Sequence, residues 1–406
     1  MLDPDLLEYN ATWDDIDNML NKATSPEFRN ETVDSNGNGW VYNWFCADFV
    51  DYEINPRRRA MGYHAIFDHY QKHLQENDTI QFHYHPHPFK NHAHLCATNW
   101  LYTNKLEKTL SRRIIDRNWF PAVNRPGFQV TRPDSNWFLE QYIPFDYASM
   151  AIKPTNEDKK QFDFSGGRSG DWRWAPRTWH PYHPSHDDYQ TPGNCRRWIT
   201  RCLNIGTRSY LLTEDGVRQA FKESSEKPQI LSFTNHDFRD ITKDITAIRQ
   251  MIETVRQEYP DVEYEFTDAV TAMRKALNLK KQPRCEFKLK LEGDNKFATL
   301  IVKASEPTFG PQPYLALKTV TDQYLHDNFD FQKPFLEWTY VFDNETLKLN
   351  AIEKIGVAAN NAYGKTTVSV IDVETRKITN TYLNEEKKNA KIIKPNTHNR
   401  LLQKWH

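Results

Sequence analysis

A chain of 406 residues with 53 Lys+Arg against 54 Asp+Glu and a formal charge of −1 has the length of two or three domains and no global positive field to hold a polyanion. Its 12 Trp, 19 Tyr and 23 Phe exclude a disordered polar chain, and no apolar run approaches the ~20 residues of a membrane span. The acidic start, MLDPDLLEYNATWDD, has neither the basic nor the apolar region of an export signal, so the expectation is a cytoplasmic protein with no nucleic acid and no membrane as partner. Five scattered Cys without a CxxC pair argue against a disulfide framework or thiolate zinc site and for reduced, buried thiols.

In chain order, an N-terminal extension over 1–37 predicts one amphipathic helix carrying Leu6, Trp13, Ile16 and Leu20. From 38 to 282, short apolar runs alternate with helical patterns. WVYNWFCAD (40–48) reads as a strand, and 59–75 places Met61, Ile66, Phe67, Tyr70 and Leu74 on one helical face. The same grammar recurs in TIQFHYH (79–85) with 95–117, WFPAV (119–123) with 135–142, and QILSFTNHD (229–237) with 241–259, before a strand VEYEF (262–266) and a helix over 267–279. Such repetition predicts a barrel-like α/β domain whose parallel strands place their C-terminal ends and loops on one face.

The segment 153–198, rich in Gly, Pro, Trp and His, fits neither pattern and reads as a long insertion forming a lid or binding loop. Over 283–390 the texture changes to β-rich runs, CEFKLKLEG, FATLIVKAS, YLALKTV, FLEWTYVF and TTVSVIDV, broken by turn residues, which predicts an antiparallel β-sandwich. The basic tail 391–406 reads as a frayed terminus.

The sharpest local feature is His83-Tyr84-His85-Pro86-His87, followed by His92 and His94, five histidines within twelve positions. Imidazole is the commonest metal-ligating side chain, and rings at a strand end and its loop converge readily on one divalent ion; His83, His85 and His87 are the best three. The alternative is that one or two of the rings face the site while the others cap or stack. A two-histidine metal needs a carboxylate and an open position. Asp48, Asp51 and Glu53 follow the strand NWFCAD, Asp48 being first choice, unless all three merely solvate a loop. Arg125 and the pair His236-Asp237 end later strands, where an Arg can stabilise developing negative charge and a His can transfer a proton near neutral pH. Asp146, in IPFD, can line the same mouth. Trp172, Trp174, Trp179 and Tyr182 either stack on sugar faces or form the insertion's own hydrophobic core.

In this order, CADFVD, HYHPH, RPGF and SFTNHD resemble the motifs of the metal-dependent polysaccharide deacetylases, carbohydrate esterase family four, also called the nodulation-type chitooligosaccharide deacetylase domain, over about residues 38–280. The resemblance implies a distorted (β/α) barrel, a divalent metal held by one Asp and two His, an Asp as general base and a His as general acid. The two acids stand apart here as Asp48 and Asp51, so either can be base or ligand, and the ligand pair is His83/His87 or His83/His85. Arg125 matches the third motif and His236 the late catalytic acid, with Asp237 as its orienting partner.

The resulting expectation is a Zn²⁺-dependent hydrolase removing an acetyl group from an N-acetylated sugar or glycan precursor. A hydrolase of a non-acetyl C–N bond, and an inactive barrel recognising a glycan or protein, are the alternatives. The β-rich domain has three open roles: carbohydrate binding, pairing of copies into a homo-oligomer, and buttressing the barrel.

Overall fold

Thr12 begins the first helix, α1 (Trp13–Ala23): its hydroxyl accepts from the Asp15 N–H while the Asp15 carboxylate accepts from the Thr12 N–H, satisfying two of the donors a helix start leaves open. In this computed structural model, which describes residues 10, 12–47, 62–87, 99–153, 170–206 and 210–386, α1 buries Ile16, Met19, Leu20 and Ala23 in a large shared core. The stretch expected to be a separate extension is therefore part of the main domain. A short α2 (Pro26–Asn30) follows. Its Arg29 pairs at 2.6 Å with Asp78, whose side chain is fully buried, and Asp78 also accepts from the Tyr42 N–H. That doubly used carboxylate fixes where the first two strands begin.

Five parallel strands, β1 (Asn43–Ala47), β2 (Thr79–Tyr84), β3 (Val123–Pro126), β4 (Phe145–Ser149) and β5 (Trp198–Arg201), lie side by side in chain order. Parallel neighbours require crossovers, and among the described residues these carry α3 (Ala65–Gln71), α4 (Lys105–Arg117) and α5 (Pro133–Tyr142). Register places Ala47 opposite His83 and His83 opposite Arg125. After β5, only Cys202 precedes β6 (Leu203–Asn204). The Cys202 N–H donates to Ser149 and the Leu203 N–H to Ser232, so hydrogen bonding passes at that point from the five-stranded sheet to a two-stranded parallel one, β6 with β7 (Phe233–Thr234). The helices α6 (Glu214–Glu223), α7 (Ile241–Glu258) and α8 (Ala269–Ala276) complete the α/β part.

Among the described residues, the α/β part forms these two sheets and not a closed barrel. The stretch 262–266, expected as a strand, joins neither sheet. Its Tyr264 and Phe266 N–H groups instead donate to Ser35 Oγ and Asp34 Oδ2, because the 34–38 turn offers acceptors where a sheet edge would be needed.

The C-terminal region is antiparallel, as expected. Its strands are β8 (Phe287–Gly293), β9 (Ala298–Ala304), β10 (Tyr314–Thr319), β11 (Tyr324–Asp327), β12 (Asp330–Lys333), β13 (Glu337–Phe342), β14 (Ile352–Asn360), β15 (Thr366–Asp372) and β16 (Ile378–Leu383). They form one sheet ordered β11-β10-β14-β15-β16 and another ordered β12-β13-β9-β8, with Leu300, Val302, Leu317, Trp338, Phe342 and Val357 among the residues packed between them. The first sheet has a second apolar face: Ala316, Ala358, Val368 and Val370 share a core with Leu106, Leu110 and Ile114 of α4.

The approach is close because Gly356 has no side chain; a Cβ there would stand 2.5 Å from Ile114 Cγ2. Polar bonds fix the junction. Tyr314 Oη donates to the Glu107 carbonyl, Tyr324 Oη to Asp116 Oδ1, and Asn360 Nδ2 to the Pro121 and Tyr142 carbonyls. The molecule is thus layered: parallel sheet, α4 and α5, antiparallel sheet, antiparallel sheet. Among the described residues, no helix is long and apolar enough to cross a membrane. Cys46, Cys195, Cys202 and Cys285 are buried, with no disulfide among the described residues.

Candidate functional site

The C-terminal ends of the parallel strands border a cavity of about 990 Å³ whose lining includes His83, His85, Arg125, Phe128, His236 and Asp237. Each reaches it by a separate local device. His83 sits in β2 between Ala47 of β1 and Arg125 of β3. Its Nδ1 lies 2.7 Å from the Arg125 carbonyl; since a carbonyl only accepts, Nδ1 carries the ring proton and the Nε2 lone pair is left for another partner. That Nε2 lies 3.0 Å from Nε2 of His85.

The His85 ring stands edge-on to Phe128, centroids 4.9 Å apart, and lies against Gly127. A Cβ at Gly127 would come within 2.5 Å of the imidazole, so the glycine of RPGF is the space the second histidine occupies. Immediately after it, Phe128 and Gln129 both adopt left-handed backbone, φ 51 and 53, a conformation that costs a non-glycine residue of order 1–2 kcal/mol and persists where surroundings impose it. The surroundings here are the far end of the insertion: the Gly170 N–H donates to the Phe128 carbonyl at 3.0 Å, and Trp172 Nε1 to the Gln129 carbonyl at 2.9 Å.

Arg125 is almost closed to solvent, 2% exposed. Its Nη1 donates to the Tyr147 carbonyl at 2.8 Å and to that of Cys202 at 3.4 Å. The guanidinium therefore ties β3 and β4 to the β5–β6 junction while bordering the cavity. That makes Arg125 a positioning residue on the present contacts, where the sequence suggested a catalytic one.

His236 and Asp237 follow β7. The His236 ring stacks on Phe238, centroids 4.9 Å apart, and the His236 backbone N–H donates to Asn235 Oδ1. Asn235 in turn donates to Asp244, which also receives Arg239 at 3.2 Å, so one acid of α7 holds the whole loop. Asp237 accepts from Tyr70 Oη of α3 at 2.9 Å.

Other expected site residues stand elsewhere. His87 is buried and not among the residues lining the cavity, which leaves His83 and His85 as the pair the structure brings together. Asp48, Asp51, Glu53, His92 and His94 lie outside the described residues. Asp146 does not line the mouth. It is fully buried, accepting from Asn124 Nδ2 at 2.9 Å and lying 4.0 Å from Arg197, because alternation along β3 and β4 sends Asn124 and Asp146 to the face opposite Arg125. Burial pushes its carboxyl up to about 6, against the lowering pull of Arg197 and the Asn124 hydrogen bond.

The insertion's aromatics are likewise not sugar platforms of this cavity. Trp172 clamps the Gln129 turn, Trp179 is fully buried with Nε1 on the Gly216 carbonyl, Tyr182 donates to the Tyr189 carbonyl, and Trp174 points outward, 78% exposed. Except for Trp174, they build the insertion's own packing. Aromatic surface at the cavity comes instead from residues that the sequence did not assign to the site, among them Trp44, Tyr70, Phe233 and Phe238. Only the Pro-Gly step at 126–127 signalled in advance the turn that cradles His85.

Two imidazoles whose Nε2 atoms face each other at 3.0 Å, one with its Nδ1 anchored on a carbonyl, are the donor set and outer support of a two-histidine metal site. The described residues fit such an ion with two of its ligands. Compared with known proteins, the chain matches no family model, no curated protein and no solved structure.

Proposed function

We propose that the chain is a metal-dependent hydrolase of an amide bond, acting on an N-acetylated sugar or glycan precursor, with the seven parallel strands arranged as a distorted, open form of the (β/α) barrel its motifs resemble. The observation that carries this reading is the pair His83/His85: Nε2 atoms 3.0 Å apart at a strand end, with His83 Nδ1 on the Arg125 carbonyl, beside a cavity that also holds His236 and Asp237.

His83 and His85 would hold the ion, with Asp48, which follows Ala47 in the sequence, or Asp51 completing the set. A divalent ion in such a site lowers the pKa of water toward ~7 and polarises a carbonyl. The remaining roles belong to the chain. The other of the two acids takes the proton of the attacking water, and the His236 imidazole returns one to the leaving amine nitrogen as its C–N bond breaks. Asp237, held by Tyr70, orients that loop. Trp44 and Phe233 offer faces on which a sugar ring can stack.

The test is acetate release from N-acetylated mono- and oligosaccharides by the full chain loaded with zinc, cobalt or manganese in turn. Turnover abolished in His83→Ala and reduced at least about a hundredfold in His236→Ala, as expected of a general acid, supports the reading. Sugar binding without acetate release under every metal contradicts it and leaves a glycan-binding module.

A further inference from the structure

Beside α3, outside the residues that line the cavity, three side chains converge that no part of the proposed site uses. Asp17 of α1 presents Oδ1 to His69 Nε2 at 2.7 Å and to His73 Nε2 at 3.0 Å. His69 is in α3 and His73 lies four residues on, one helical turn away, so both rings project from one face. Their ligand atoms all lie within 4.8 Å of one another.

The rings are sheltered without being sealed: side-chain exposure is 14% for His69 and 15% for His73, against 38% for Asp17. Trp13 stacks on His69 with centroids 4.0 Å apart, fixing that ring's orientation. Two imidazoles are aimed through the same nitrogen at the same carboxylate oxygen, which brings three ligand atoms of the kinds zinc prefers to one point.

We propose that Asp17, His69 and His73 form a second transition-metal site, taking Zn²⁺ or a similar N/O-preferring divalent ion, that joins α1 to α3. Ligand bonds of ~2.0–2.1 Å in a tetrahedral site separate donor atoms by roughly 3.3 Å. The present spacings of 2.7 and 3.0 Å therefore need only a small outward swing of Asp17, the most exposed of the three. On binding, the ion displaces the Nε2 proton that each ring donates to Asp17, leaving each neutral imidazole with its single proton on Nδ1 and its Nε2 lone pair on the metal; water fills the fourth position.

The site has a consequence for the cavity. Tyr70, which holds Asp237 at 2.9 Å, sits between the two histidines on the chain, so an ion on His69 and His73 fixes the segment from which Tyr70 reaches the cavity. An open coordination position alone makes no hydrolase, and none of the three residues lines the cavity; the ion's role is to hold α3.

The test separates this site from the cavity pair. Zinc is titrated into full-length protein carrying His83→Ala/His85→Ala and, in that background, Asp17→Asn or His73→Gln, with bound metal counted after dialysis and unfolding followed by circular dichroism. The account predicts about one zinc per chain in the double variant, a zinc-dependent rise in its unfolding temperature, and loss of both with either added substitution while the metal-free unfolding temperature stays close to that of the background. Cobalt in place of zinc then gives the visible absorption of a tetrahedral site. A double variant that binds no zinc, or whose zinc survives both substitutions, overturns the inference. Because the cavity pair is absent throughout, neither result bears on the proposed hydrolase.

Discussion

The two halves of the molecule use strands in opposite ways. In the C-terminal sandwich, β14 and β15 run for nine and seven residues with nearly every side chain buried, and they pair in unbroken register. In the α/β half, β7 is two residues long, the β4–β5 register shifts between Asp146 and Ser149, and the turn after β3 holds two residues in left-handed backbone. The sandwich has register shifts of its own, at Lys318/Thr319 and Phe331/Lys333, but its long, buried ladders put stability into that half. Interrupted ones in the other leave strand-end groups aimed into a cavity, where irregular backbone is what positions His85. The α4 layer joins the two, so the sandwich serves as a buttress of the sheet that carries the site.

The strongest way to break this contrast is to hollow out the sandwich. Trp338 is fully buried with Nε1 on the Pro311 carbonyl, and Trp338→Ala should cost about 3–5 kcal/mol by chemical denaturation, with zinc content of the refolded fraction unchanged. If the sandwich unfolds and the α/β half stays folded, the layers are not welded through α4.

Next in size is a pH effect centred on Asp146. Its carboxyl is raised to about 6 from 3.8, so between those values the folded state holds a proton that the unfolded state has released. Folding stability from this group is therefore highest below about pH 4 and is lost as pH rises to about 6, by about 3 kcal/mol in all. Asp146→Asn lacks that slope. Denaturation of both proteins across the window should show the wild type losing stability relative to the variant as pH rises; parallel curves would mean the carboxylate stays ionised beside Arg197.

Gly127→Ala puts a methyl group into the His85 ring. Overpacking of this kind costs about 1–3 kcal/mol, yet the expected loss of zinc bound through His83 and His85 is far larger than the loss of stability. A stable variant with full zinc would show that the turn does not set the position of His85. Smallest of all is the pair of insertion tryptophans. Trp172→Phe removes one hydrogen bond to the strained turn, worth about 1 kcal/mol, and should weaken zinc binding. Trp174→Ala, at an exposed position, should change stability by less than about 0.5 kcal/mol and leave both metal and turnover alone. Activity lost in Trp174→Ala would restore the sugar-stacking role that its outward placement takes away.

Much of this contrast was legible in the sequence. Alternating apolar runs and helical periodicity located β1, β2, α5 and α7 to within a few residues, because each has one buried face and so repeats its pattern. The helix α6 has no counterpart among the expected elements, and within β14 the stretch 355–359, Ile-Gly-Val-Ala-Ala, lacks alternation because both of its faces are covered, one by the second sheet and one by α4; such burial erases the pattern that marks a strand. The 262–266 segment alternates like a strand but finds its hydrogen-bond partners in a turn.

At the site, a dense histidine run is visible as composition, and His83 followed from its place at a strand end. The choice of His85 over His87 was not legible, since it depends on the absent side chain of Gly127 and on the backbone of Phe128. Asp146 differs for another reason: β4 runs over Phe145–Ser149, so Asp146 stands near the start of the strand and not at its end, and two-residue alternation turns it to the other face. The Asp17–His69–His73 cluster joins residues some fifty positions apart in sequence, and only the packing of α1 on α3 reveals it.

The central claim is that His83 and His85 together hold a metal ion, and the most direct measurement is elemental analysis of protein purified without a metal-affinity step, wild type beside His83→Ala/His85→Ala, after incubation with zinc and dialysis. The account predicts that the double variant carries about one equivalent of zinc per chain less than the wild type while remaining folded. Equal metal content in the two folded proteins would contradict it.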